Sequence, residues 1–418
     1  MNDGTPNRWI SAAWLTVLLL MPVAFLNYLD RQMLASMRAS VMGDITDIET
    51  QANWGLMLGQ FKWVYAFASP LGGYIADRFS RRLTVCASLF VWSMITWWTG
   101  RVESFQELMH ARTLMGLSEA FYIPAALALI ASHHAGSTRS RAVGAHQIGI
   151  YLGVIAGGFG GMVADNPNLG WRSAFNLCGI FGMAYAVPLI LLLRDKAPEP
   201  GTENGRAPGL LTSLPRLLLN GSFILLVLYF TLPALAGWIV RDWMPAILRD
   251  RYGISQGRAG VLASLPWQTA AIIFAFVGGI LADRLMAQTD RGRIFVSALG
   301  MALIVPAIYG MGMNGSLFMA VAALVLFGMG WGMFDTNNMP ILCQIVPANL
   351  RATGYGVMNF VSISCGGLAD WGFGKLKDQN ASEPLIFAVF SALALFAGLM
   401  VLCIRPKSQE ELEKVGGL

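Results

Sequence analysis

Twelve apolar runs govern what this chain can become. With coarse edges they lie at about 11–34, 54–76, 83–100, 105–132, 142–165, 172–193, 221–246, 259–282, 294–313, 316–345, 353–376 and 384–404. A helix needs roughly 20 apolar residues to cross a bilayer, and these runs are of that order. Lipid offers no hydrogen-bond partners, so only helices or closed barrels span it, and continuous apolar runs this long are helical. A polar stretch from Arg194 to about Asn220, with Pro198, Pro200, Gly201, Gly205, Pro208 and Gly209, separates six runs from six. The expected architecture is an all-α membrane protein. It has twelve transmembrane helices in two pseudo-symmetric six-helix bundles, residues 1–193 and 221–418, joined by a cytoplasmic linker at 194–220.

Composition agrees. Of 418 residues, 55% are hydrophobic and 13% charged, and mean hydropathy is +0.55. A soluble domain carries about 25% charged residues, and a disordered or disulfide-built chain is excluded as well. The net charge of +5 does not imply nucleic acid, because the basic residues sit in short clusters between apolar runs and read as topology signals. With the N-terminus cytoplasmic, the inner segments hold 17 Lys and Arg and the outer segments eight, while Arg31, Lys62, Arg112 and Arg241 lie inside helices. That bias places both termini in the cytoplasm. The expected location is a bacterial inner membrane, as a multi-pass monomer with the lipid bilayer as its surroundings. Only Arg8 precedes the first run, and no small-residue cleavage site follows it, so that run is read as a retained helix.

Five cysteines, Cys86, Cys178, Cys343, Cys365 and Cys403, occur singly in apolar segments and read as small buried hydrophobes. His110, His133, His134 and His146 form no metal spacing; His133 and His134 fall in an inner loop, where solvation is expected. No metal site or cofactor is expected. No phosphate-binding loop or hydrolase motif is present, so ATP-driven pumping and membrane hydrolysis have no sequence support.

The two halves repeat. Gly72-Gly73-Tyr74-Ile75-Ala76-Asp77-Arg78 ends the second run, and Gly278-Gly279-Ile280-Leu281-Ala282-Asp283-Arg284 ends the eighth. Arg141-Ala142-Val143-Gly144 opens the fifth, and Arg351-Ala352-Thr353-Gly354 the eleventh. Glu119 and Pro124 in the fourth correspond to Asp335 and Pro340 in the tenth. Repeats of this kind mark secondary transporters, whose substrate site lies near the midplane between halves.

GGYIADRFSRR followed by GGILADRLMAQTDRGR resembles the cytoplasmic signature loop of the major facilitator superfamily, present in both halves, and the resemblance covers nearly the whole chain. Within it, several segments resemble the anion:cation symporter branch, which carries sugar acids and other organic anions. They are Asn27-Tyr28-Leu29-Asp30-Arg31, Arg112 to Ala120, Gly170-Trp171-Arg172, Trp243-Met244-Pro245 and Ala263-Ser264-Leu265-Pro266. The lysolipid-carrying Spinster branch shares a similar Asn-Tyr-x-Asp-Arg and Arg-x6-Glu arrangement and is the alternative. By this resemblance the signature residues Gly73, Asp77, Arg78, Arg82, Gly279, Asp283 and Arg284 latch the cytoplasmic side and do not touch substrate. A solvated turn with positive-inside arginines is the plainer reading.

A carboxylate inside a spanning helix is costly and normally faces a cavity or a partner. Burial favours its protonated form, and a nearby arginine favours the ionised one. Asp30 beside Arg31, and Glu119 two turns after Arg112, are such groups. The resemblance implies that Asp30 and Glu119 are proton-coupling acids and that Arg112 is linked to Glu119; static salt bridges are the plainer reading. An anion also needs a cation with fixed donors. Arg31 offers a bidentate fork, Lys62 a point charge, and Tyr28 a hydroxyl. Gln147 and Asn359 sit where sugar-acid members place polar ligands, although a lone buried amide more often bonds a neighbouring helix. Tyr65 and Trp267 are candidates for an apolar wall. The tenth run is unusually polar at Asp335-Thr336-Asn337-Asn338, and typical members of the branch have no matching acid there. Asp335 and Asn338 are therefore substrate-contact candidates, or a hydrogen-bond hub beside Pro340. The expected function is proton-coupled symport, with a proton rather than sodium as coupling ion. The substrate is a small organic anion, a sugar acid such as a hexuronate, an aldonate or sialic acid, carried by alternating access. An enzyme is not expected.

Overall fold

A computed structural model describes residues 12–78, 80–134, 137–195 and 210–407, helical almost throughout and without a strand among them. Twelve helical spans follow in order. The first six are Ala12–Ser36, Gln51–Arg78, Arg81–Thr99, Phe105–Glu119 continued by Tyr122–His133, Ser137–Gly158 continued by Gly160–Asp165, and Gly170–Leu192. The last six are Gly221–Asp242, Gln256–Met286, Gly292–Gly312, Leu317–Ile345, Arg351–Asp378 and Glu383–Leu402. Nine of the spans are long and apolar enough to cross a membrane by length and composition alone. The second, third and eleventh are long but more polar. In the third, Ser88, Ser93, Thr96 and Thr99 are all buried, so its polar atoms face protein rather than lipid.

Local chemistry sets the span ends. Ser104, Asn220, Ser255 and Ser316 each accept a backbone N–H three residues ahead and cap the fourth, seventh, eighth and tenth spans. Three breaks interrupt runs that the sequence reads as continuous; the fifth span breaks at Phe159, and the other two have a proline cause. Proline lacks an N–H and collides with the carbonyl four residues back. Pro124 therefore rejects the Ala120 carbonyl, and the fourth span breaks between Glu119 and Tyr122. Pro245 rejects the Arg241 carbonyl, so the seventh span stops at Asp242 and a short helix, Met244–Tyr252, starts beyond it. The released Arg241 carbonyl accepts from Gln32 Nε2 at 3.1 Å. Within the linker, Leu210–Leu218 is helical, and residues 196–209 lie outside the described segments.

The halves meet in two close crossings, second span on eleventh and fifth on eighth. A Cβ on Gly55 would sit 2.3 Å from the Asp370 carbonyl oxygen, and one on Gly260 2.2 Å from that of Gly158. Small residues let backbones approach this closely, which is how helices associate where no hydrophobic force drives them together. Both crossings lie toward the end of the bundle that carries the 37–50, 243–255 and 379–382 connections. Polar contacts seal the same end. Asp378, closing the eleventh span, accepts from the Gln51 and Ala52 amides at 2.9 and 2.8 Å and caps the second. Gln256 Nε2 donates to Ser40 Oγ at 2.8 Å, the Gly257 amide donates to Asp165 Oδ2 at 2.7 Å, and Arg38 bonds Gln51. The described chain begins and ends at the opposite end.

The signature segments lie at that opposite end. Gly73, Asp77 and Arg78 fall at the end of the second span, and their side chains are outside what the structure describes. Of the paired glycines, the first makes the close approach. A Cβ on Gly72 would lie 2.7 Å from the Ala120 oxygen and one on Gly278 3.0 Å from Met333, whereas Gly279 has ordinary room at 3.7 Å from Thr336. Asp283 and Arg284 are exposed, with Asp283 3.7 Å from Arg293. The Arg82 amide donates to Asp195 Oδ1 at 2.9 Å.

Candidate functional site

The first span carries Asn27, Tyr28, Asp30 and Arg31 over little more than one turn. Residues four apart share a helix face, and Arg31 donates to Asn27 Oδ1 at 3.1 Å. From the fourth span, Glu119 closes the pair: Arg31 Nε donates to Glu119 Oε2 at 2.6 Å. The Arg31 guanidinium also lies over three aromatic faces, Phe61 at 4.7 Å, Tyr28 at 4.9 Å and Tyr65 at 5.0 Å. Arg112 covers the Phe61 ring at 4.4 Å, so Phe61 sits against both cations. Asp30 accepts from Thr96 Oγ1 at 3.0 Å. Arg31, Arg112 and Glu119 are the charges that act on it.

Two acids and two arginines thus form one balanced buried cluster. Balance matters because an isolated charge in this setting costs several kcal/mol. Asp30 Oδ1 and Glu119 Oε1 are buried without a hydrogen-bond partner, so neither carboxylate is fully satisfied. Only Arg31 keeps appreciable exposure, 15% of its side chain. The expected link between Arg112 and Glu119 is through space only: Arg112 donates to Met115 Sδ at 3.0 Å, and the hydrogen bond to Glu119 comes from Arg31. Packing of the first span against the fourth decides this, since Arg112 lies on the same helix as Glu119 but two turns away.

Lys62 is not a free cation. Its Nζ donates to both Asp242 Oδ2 and Asp370 Oδ2, from the seventh and eleventh spans. It has no charge to spare for substrate in this arrangement. Sequence reading passed over both acids, although each is a carboxylate in an apolar run, the signal that singled out Asp30.

A different cation faces the space between the halves. Arg241, at the end of the seventh span, is half-buried and lies over the Trp238 ring at 5.2 Å and the Tyr28 ring at 5.7 Å. Among the described residues its guanidinium has no hydrogen-bond or ion-pair partner. Tyr28 is therefore flanked by Arg31 from one half and Arg241 from the other. Asp335, half-buried on the tenth span, interacts with Arg241 through space and accepts from Tyr151 Oη of the fifth span at 3.5 Å. Gln147, one turn before Tyr151, interacts with the same hydroxyl. Tyr28, Arg31, Gln147 and Asp335 thus converge, together with Arg241 and Tyr151, which sequence reading had not placed in the site.

The other candidates are placed differently. Asn359 Nδ2 donates to the Tyr355 carbonyl of its own helix at 3.2 Å. Asn338 is buried, and neither side-chain atom has a partner. Trp267 packs on Phe327 and Trp331 within the second half, whereas Tyr65 does supply an aromatic wall beneath Arg31. His146 bonds the Tyr122 hydroxyl at 2.8 Å in the core of the first half. His134, expected in solvent, is buried against the edge of Trp14 at 5.0 Å. Among the described residues no group of His, Cys, Asp and Glu is arranged to hold a metal.

Comparison with known proteins adds four findings. A family model described as Major Facilitator Superfamily matches residues 20–369. The sequence is 25% identical over 403 residues to the hexuronate transporter of Bacillus subtilis (strain 168), covering 93% of this chain and 94% of that protein. It is 26% identical over 396 residues to an MFS-type efflux pump of Mycolicibacterium smegmatis, covering 93% and 90%. Among solved structures, a bacterial homologue of the human lysosomal transporter Spinster, inward-facing and unoccupied, matches with TM-score 0.79 at 19% identity, covering 96% of this chain and 100% of that one. At that identity the likeness shows the fold.

Proposed function

The chain belongs to the Major Facilitator Superfamily, and from that membership we propose that it is a proton-coupled symporter of a small organic anion, a sugar acid of the hexuronate or aldonate kind. The observation that carries the reading is Arg241, an uncommitted guanidinium facing the space between the halves, with Tyr28, Tyr151, Gln147 and Asp335 around it. A carboxylate seats on a guanidinium fork, and the surrounding polar groups can meet several hydroxyls. The hexuronate transporter of Bacillus subtilis supports the substrate class.

Coupling follows from charge balance. A substrate carboxylate held by Arg241 lies next to Tyr28 and competes with Glu119 for Arg31. When Arg31 turns to the substrate, Glu119 loses its hydrogen-bonded cation, keeps only Arg112 acting through space, and takes up a proton. Asp30, facing Arg112 and Arg31, loses part of the same cation. Substrate and proton are thereby loaded together. Alternating access consists of the two halves rocking about this centre, with Gly55 on Asp370 and Gly158 on Gly260 as the contacts that part. With both termini cytoplasmic, the sealed end is external. The protein works as a monomer in a bacterial inner membrane.

A lysolipid path needs an apolar cavity, and two arginines with a buried acid suit it poorly. The deciding experiment is uptake of labelled glucuronate into proteoliposomes under an imposed pH gradient, beside glucose and a lysophospholipid. Accumulation of the sugar acid that collapses with a protonophore is expected. Lysophospholipid transport without sugar-acid uptake would discard the proposal.

A further inference from the structure

Lys62, Asp242 and Asp370 form an ion cluster outside the Arg31–Glu119 centre, and its charges do not balance. One ammonium serves two carboxylates, all three groups being buried at 5, 7 and 0% exposure. Both acids touch the same nitrogen, so their oxygens lie within two hydrogen-bond lengths of each other. The second oxygen of Asp370 is buried and makes no hydrogen bond of normal geometry, with the Trp243 indole as its polar neighbour. The cation comes from the first half, on the second span; both acids come from the second half, on the seventh and eleventh. The other charged group acting on the pair is Arg112 from the fourth span, which acts on Asp242. Trp238 lies under Lys62 at 4.2 Å and contacts Arg241 as well.

Parting of the halves at the sealed end draws Lys62 away from both acids and leaves the acids together. Two carboxylates at that separation do not both stay ionised, and an unpaired buried charge costs more than a paired one. We propose that the Asp242–Asp370 pair takes up one proton when the sealed end opens and Lys62 departs, and returns it when the end closes. The pair is then a second proton site, gated by conformation and separate from Asp30 and Glu119. The inference rests on the alternating-access reading above but not on the identity of the substrate.

Its test needs no substrate. Cys86, Cys178, Cys343, Cys365 and Cys403 are replaced, and spin labels are attached at Glu49→Cys and Ser382→Cys, exposed positions on the two sides of the sealed end. Distances are measured on the full chain in nanodiscs between pH 5 and 8. Linkage to one proton makes the open-to-sealed ratio rise by up to about tenfold per pH unit as pH falls. Asp370→Asn, or Asp242→Asn should the first fail to fold, is expected to flatten that slope to under about twofold. Asp30→Asn with Glu119→Gln is expected to retain it. A pH-independent wild-type ratio, a slope surviving both single carboxamides, or a slope abolished by the Asp30 and Glu119 changes would each overturn the proposal. Sugar-acid uptake can fail while this slope stands, so the two readings fall separately.

Discussion

Arg31 and Glu119, 88 residues apart in the chain, are joined by an Nε–Oε2 hydrogen bond of 2.6 Å inside the first half. The acid has no exposed side-chain surface, while the arginine keeps some. On the proposed mechanism Arg31 is the cation that leaves Glu119 for a ligand, and Glu119 then keeps Asn27 and Arg112 as its neighbours. Removing one member of a buried pair typically costs about 3–5 kcal/mol, because it strands the other charge. Arg31→Ala and Glu119→Ala should each lower the melting temperature of purified protein more than the double variant does. Additive losses in a melting series would show the pair to be energetically independent.

Glu119→Gln keeps the shape of the site and removes its proton. Proteoliposomes carrying it should lose pH-driven accumulation yet still exchange internal for external substrate. Accumulation at the wild-type level would remove Glu119 from coupling.

Arg241 carries the prediction about affinity. A charged hydrogen bond contributes about 1.5–3 kcal/mol, so Arg241→Ala should weaken sugar-acid binding by roughly 10–100-fold in titration calorimetry. Arg31→Ala, losing a shared cation, should weaken it less. The opposite ranking would return the anchoring role to Arg31.

Asp335 meets Tyr151 across the halves at 3.5 Å, and on the proposed reading it accepts from substrate hydroxyls. Asp335→Asn should reduce binding of a polyhydroxylated acid while sparing a simple short-chain carboxylate. Equal losses for both ligands in a thermal-shift panel would assign Asp335 a structural role instead.

The sealed end offers a steric test. A Cβ at residue 260 would lie 2.2 Å from the Gly158 oxygen, so Gly260→Leu cannot close the fifth–eighth crossing without moving backbone. The variant should fold and bind ligand through this end, held open, but not transport; transport at the wild-type rate would show that the crossing need not close. Asp378→Ala acts on the other crossing more gently. It removes the cap of the second span, a loss of about 0.5–2 kcal/mol, and should raise the open fraction read from spin labels at Glu49→Cys and Ser382→Cys by a few-fold. An unchanged distance distribution would mean that this cap does not hold the end shut.

Much of the architecture was legible one residue at a time. Span positions follow from hydropathy over about 20 residues, and the repeat from matching Gly72–Arg78 to Gly278–Arg284. Asp30, Arg31, Arg112 and Glu119 could be singled out because charge inside an apolar run stands out in one dimension. The breaks at Ala120 and Arg241 were legible too, had Pro124 and Pro245 been read for the carbonyls they reject.

Partners were not legible. Lys62 reaches Asp242 across 180 residues and Asp370 across 308, and nothing local distinguishes it from the unpaired Arg241. Sequence sets which residues are too costly to leave in lipid, because that cost depends on the residue and its neighbours along the helix. Which charge neutralises which is decided by how twelve helices pack and at what rotation. Those were set by close contacts such as Gly55 on Asp370 and Gly260 on Gly158, between residues far apart in the chain.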